Sequence, residues 1–206
     1  MKTKVIVGII VATLLWFLMF SPWTAPHLNF WLSMSVSAAI LISLSAFWGK
    51  SLKNGFSFNI KDVLIGLGSA VVLWFVFYIG DFLAVLLFDF AKPQVSGIYA
   101  LKEEGNYLTI ALLLLFLISP AEEIFWRGFI QKQLCHKFGG WTGFFVTTFI
   151  YAIVHIWAFN FMLIMAALIC GVFWGLIYKW RGNNLLPVVI SHAVWNVGVF
   201  ILFPIQ

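Results

Sequence analysis

Residues 120–127 read P-A-E-E-I-F-W-R, directly after the apolar run 107–119 and directly before Gly128, Phe129 and Ile130. Glu122, Glu123 and Arg127 therefore place three formal charges inside a segment otherwise suited to lipid. A charge at bilayer depth costs at least a few kcal/mol, so ionisable residues there mark functional sites by default. Glu123 and Arg127 stand one helical turn apart on one face and can pair. Glu122 points about 100° away from Glu123, outside that pair and turned toward a different neighbour. One carboxylate reads as structural and the other as available. The bland alternative is a buried ion pair plus one protonated glutamate that only holds helices together.

Of the 206 residues, 63% are hydrophobic and 9% charged, more apolar than any soluble core of this size requires. The charges cluster between apolar runs at 5–20, 28–48, 63–90, 107–133, 141–159, 161–180 and 185–203. Each run can cross about 30 Å of hydrocarbon as a helix, and none shows the ten-residue alternation of a barrel strand. The expected fold class is all-α: a polytopic transmembrane bundle of about seven spans, forming a single membrane domain over 1–206. The third run, roughly 42 Å long as a helix, holds Gly80 and Asp81; a tilt, a kink at the glycine or an extension into the headgroups all fit. A break there would make eight spans. Asp81 reads either as a partner for an inward basic group or as a packing element.

The net charge of +5 does not point to nucleic acid, because its lysines and arginines mark helix ends. Lys2, Lys4, Lys50, Lys53, Lys61, Lys132, Lys137, Lys179 and Arg181 fall on alternate loops, against Lys92 and Lys102 on the opposite ones. That nine-to-two split predicts a cytoplasmic N-terminus and an outside C-terminus. Lys2 and Lys4 ahead of an apolar run look like a signal sequence, but Ser21, Pro22 and Trp23 make a poor cleavage site, so a retained first helix is expected. Cys135 and Cys170 have no pairing or metal-type spacing and read as small apolar fillers. Trp23, Trp31, Trp48, Trp141 and Trp180 sit near predicted interfaces, as anchors do. Gly171 and Gly175 form a G-x-x-x-G that permits close helix approach.

Further polar groups lie inside apolar spans: Tyr151 and His155 at i and i+4 of the fifth, His192 and Asn196 at i and i+4 of the seventh. Each pair shares one helix face. Counted from the cytoplasmic ends, Glu122 lies about 15 residues above Lys137 and His155 about 14 above Trp141, roughly 20 Å in each case. His192 is about 8 residues from Asn184, roughly 12 Å. A common site in the cytoplasmic half of the bilayer follows if the fourth and fifth helices tilt or protrude.

The constellation E-E-x-x-x-R, aromatic-x-x-x-H and H-x-x-x-N, in that order on three spans, resembles the type II CAAX prenyl proteases and bacteriocin-processing proteins known as CPBP or Abi intramembrane peptidases. Glu122, Glu123 and Arg127 match the first motif, and His192 and Asn196 the last. The middle motif of the family is F-x-x-x-H, where this chain has Tyr151 and His155, keeping the ring and its size. The resemblance covers 107–206 as a catalytic core, whereas the three spans of 1–106 show no motif.

This resemblance implies a cell-membrane endopeptidase acting on membrane-associated peptides or proteins, with membrane lipid around it. Glu122, helped by His155, would activate a water. His192 and Asn196 could donate to the developing oxyanion, while Glu123 and Arg127 would hold the helix. No cofactor is certain. If Zn2+ is bound, its ligands would be His155, His192 and Glu122, although no H-E-x-x-H helix is present and asparagine is a poor zinc ligand. Metalloprotease and metal-independent glutamate peptidase both stay open. Two other classes are a non-enzymatic bacteriocin-immunity or accessory protein of the same fold, and a small proton-coupled transporter. The latter fold usually carries repeats, and none is visible.

Overall fold

The computed structural model describes residues 2–49 and 55–205; it is 86% helical, with no strand among the described residues. The helices are α1 Lys2–Phe20, α2 Phe30–Gly49, α3 Ile60–Leu87, α4 Ala91–Ala100, α5 Tyr107–Phe138, α6 Gly140–Ala158, α7 Phe161–Trp180 and α8 Leu186–Leu202. All but α4 are the apolar runs expected from the sequence, so this is a multi-pass membrane protein. Helix α3 runs unbroken through Gly80, so no eighth span arises there. Helix α4 was not foreseen, because Pro93 and Gly97 in A-K-P-Q-V-S-G-I-Y-A read as loop residues. Lys50 and Lys53, which count toward the charge asymmetry, lie outside the described residues.

Local chemistry explains the helix ends. Asn59, Asn106 and Asn160 cap α3, α5 and α7 by accepting backbone N–H bonds in the first turn. Pro187 opens α8, where its missing N–H is harmless. Pro120 lies inside α5 and cannot bond back to the Phe116 carbonyl. A widened π turn over Leu114–Ile118 precedes it, and a second spans Trp126–Gln131, bracketing the charged stretch.

Small residues set the closest approaches. A Cβ on Gly66 of α3 would stand 2.8 Å from the Ile190 side chain of α8. Helix α3 is also tied to the turn between α7 and α8, where Asp62 accepts from Arg181 Nε at 2.6 Å and from Asn184 Nδ2 at 3.1 Å. Gly171 and Gly175 of α7 face α6, with Thr148, Tyr151 and Phe144 against them, which is the close approach that G-x-x-x-G permits. Trp23, Trp141 and Trp180 are exposed, but Trp31 is not the lipid anchor expected. It is buried, and its indole N–H donates to the Leu101 carbonyl at 2.9 Å, an acceptor supplied by a segment far away in sequence. Cys135 and Cys170 are both free thiols.

Gly143 of α6 is the tightest of these contacts, since its Cβ would fall 2.2 Å from the Cys135 backbone nitrogen of α5. Gly143→Ala is expected to destabilise the protein by about 1–3 kcal/mol, the usual cost of overpacking. Gly68→Ala, with nothing within 4 Å of the added carbon, should leave the thermal midpoint in detergent unchanged.

Candidate active site

The two neighbouring glutamates take different environments. Glu123 is fully buried, and its Oε1 accepts from Arg127 Nη1 at 2.7 Å and from His192 Nδ1 at 2.7 Å. The i, i+4 pair read from the sequence is present, with an imidazole from α8 added to it. Arg127 extends further, donating to the Cys170 and Gly171 carbonyls of α7 at 3.4 and 3.5 Å. Its guanidinium lies 4.7 Å over the Tyr151 ring and 5.6 Å from that of Trp174. One turn on, Gln131 Nε2 donates to the Gly175 carbonyl at 3.1 Å. Helix α5 is thus fastened to α7 and α8 by hydrogen bonds to Glu123 Oε1, Arg127 and Gln131, while Glu123 Oε2 is buried with no hydrogen-bond partner among the described residues.

Glu122 points elsewhere, as its angular offset requires. Its Oε2 accepts from the Tyr151 hydroxyl of α6 at 3.1 Å, and Oε1 has no hydrogen-bond partner among the described residues. The middle-motif departure is therefore more than a ring of the same size. The tyrosine hydroxyl holds one oxygen of Glu122, which a phenylalanine could not do.

His155 sits where α6 tightens from α-helix into a 3-10 turn over Val154–Ala158. Its Nδ1 is 2.9 Å from the Tyr151 carbonyl, and its Nε2 accepts from Trp16 Nε1 of α1 at 2.9 Å. His192 stacks on Trp174 with ring centres 3.8 Å apart, and its Nε2 has no protein partner among the described residues. Asn196, one turn along α8, donates to Ser119 Oγ at 2.9 Å. Ser119 with Asn196, and Glu123 with His192, form rungs between antiparallel helices four residues apart on each.

Glu122, Tyr151, His155, His192 and Asn196 all line one cavity of about 530 Å³, whose remaining wall is mostly aromatic and aliphatic and includes Trp16 and Asp81. The residues singled out from the sequence on α5, α6 and α8 therefore meet. Glu123 and Arg127 lie behind the wall and hold it. Sequence reading missed Trp16, Ser119, Gln131 and Trp174. Ser119 and Gln131 continue the i, i+4 face of Glu123 and Arg127, a readable signal; Trp16 and Trp174 look like ordinary core residues of apolar spans.

The donor set does not suit a zinc ion. Among the described residues no three His, Cys, Asp or Glu side chains stand where one ion could bind them together. In addition, His155 has Nε2 engaged by the indole and Nδ1 against the Tyr151 carbonyl, so neither of its nitrogens is open to an ion.

Residues 104–198 match the model of the Rce1-like family, type II CAAX prenyl endopeptidases. The match contains all three motifs, so the resemblance drawn from them holds over this stretch. No curated protein and no solved structure matches the chain.

The two glutamates should respond differently to substitution. Arg127→Ala leaves Glu123 without its cation and should cost about 3–5 kcal/mol, as loss of one member of a buried pair does. Glu122→Gln keeps a hydrogen-bond acceptor for Tyr151 and should leave the detergent melting midpoint near that of the wild type.

Proposed function

From the match of residues 104–198 to the model of this endopeptidase family, we propose that the protein is an intramembrane endopeptidase that hydrolyses peptide bonds of membrane-associated peptides or proteins through a glutamate-activated water. The reading rests on one observation above others: Glu122, His192 and Asn196 line a single cavity, with the free Glu122 oxygen at its wall. Glu122 takes a proton from the water as its oxygen bonds to the scissile carbonyl carbon. When the tetrahedral intermediate collapses, the C–N bond breaks and the same proton goes to the leaving amine.

The oxyanion needs donors aimed where charge develops. An amide nitrogen carries two hydrogens, and Asn196 gives one to Ser119, which leaves the second for substrate. His192, bonded through Nδ1 to Glu123, presents its Nε2 edge beside it. Glu123 and Arg127 neither touch substrate nor move protons; they hold α5 against α7 and α8. No step is routed through a metal, because the donor set does not suit one. The loop charges support an N-terminus in the cytoplasm of the cell and a site in the cytoplasmic half of the cell membrane.

Purified protein in liposomes, offered a membrane-spanning peptide, supplies the test. Glu122→Gln should abolish cleavage while the fold is retained, and equal cleavage by both proteins would remove the mechanism. Asn196→Ala should lower kcat by about 10²–10³, the effect of losing one oxyanion donor. Tyr151→Phe, which removes only the hydroxyl, should slow cleavage several-fold, in keeping with a net hydrogen-bond contribution of about 1 kcal/mol.

A further inference from the structure

Trp16 belongs to α1, outside the family match and in the half of the chain that shows no motif, yet its indole reaches the cavity. Its Nε1–H donates to His155 Nε2 at 2.9 Å, and both side chains are buried. An indole nitrogen only donates, so Nε2 must accept and bears no proton. The ring proton then belongs on Nδ1, which faces the Tyr151 carbonyl at 2.9 Å, a group that only accepts. Two contacts made by different helices thus demand the same neutral tautomer. The rings against His155 add no charge to it: Trp16 meets it edge-on at 5.7 Å, Phe20 at 5.9 Å and Tyr151 at 5.6 Å.

We propose that Trp16 is a positioning residue that fixes His155 as the Nδ1–H tautomer and occupies Nε2, so that Glu122 and not His155 takes the proton from water. Both nitrogens of His155 are then committed to the protein. What the ring does is anchor the Tyr151 backbone, and the Tyr151 hydroxyl in turn orients Glu122. The assignment of the proton to Glu122 rests on the peptidase reading; the tautomer does not.

The experiment uses the full chain, labelled with ¹⁵N-histidine in detergent, with the His155 signals among the four histidines identified by their loss in His155→Gln. Wild type should show His155 as a neutral Nδ1–H ring, and Trp16→Phe should turn it into a mixture of tautomers. Trp126→Phe is the packing control: Trp126 is equally buried beside Trp16, but its Nε1 has no hydrogen-bond partner among the described residues, so its loss should leave the His155 signals in place. In the cleavage assay Trp16→Phe should lower kcat about tenfold with KM nearly unchanged. A glutamine can donate toward Tyr151 and accept from Trp16 but is no base. His155→Gln should therefore keep most of the activity that His155→Ala loses.

A wild-type His155 that is charged or Nε2-protonated overturns the proposal. So does His155→Gln as inactive as His155→Ala, which would make the imidazole a base, or a Trp16→Phe protein more active than wild type, which would make the indole a block. If Trp16→Phe does not fold, the wild-type tautomer and the glutamine comparison still decide. If Glu122→Gln cleaves normally, the peptidase reading fails while the labelling result still stands or falls alone.

Discussion

One carboxylate oxygen, Glu123 Oε1, ties the site together. It receives Arg127 from its own helix and His192 from α8, both at 2.7 Å and all three buried. A buried carboxylate without partners would be too costly to keep, so this contact sets the rotation of α5 about its axis. With Glu123 held toward α8, Glu122 must look about 100° away, and that direction is the cavity. The adjacent acids do different work because a helix cannot aim neighbours at the same place.

The same constraint explains the small residues around Arg127. For the guanidinium to reach the Cys170 and Gly171 carbonyls, α5, α6 and α7 must converge. Gly171 and Gly175 permit this, with Thr148, Tyr151 and Phe144 of α6 packed where their side chains would have been. Packing is dense on that side, and Trp126, Trp174 and Arg127 are among the most buried side chains of the molecule. On the other side of Glu122 the helices part and leave a cavity of about 530 Å³, which α1, α2, α3 and α4 help to wall. The motif-bearing helices supply Glu122, Tyr151, His155, His192 and Asn196, and the rest of the bundle supplies a largely apolar enclosure, Asp81 of α3 and the indole that holds His155.

Much of this was legible in the chain. Seven apolar runs became seven helices, because a backbone in lipid must satisfy its own hydrogen bonds and long apolar segments do so as helices. The pairing of Glu123 with Arg127 followed from helical spacing alone, and spacing also brought Tyr151 with His155, and His192 with Asn196, onto shared faces. Helix α4 was hidden by its proline and glycine. Trp31 was misread because a tryptophan near a predicted interface looks the same whether it faces lipid or an inward carbonyl.

The sequence by itself determined the membrane class, the order of the apolar helices and which side chains share a helix face, since these depend on hydrophobic length and the 3.6-residue turn. Tertiary structure alone decided which faces meet. That His192 joins Glu123 and not Glu122, that the Tyr151 hydroxyl is used, and that Trp16 closes on His155 across 139 residues of chain all depend on how helices rotate and pack. Those rotations are set by contacts between distant residues, and local periodicity carries no record of them.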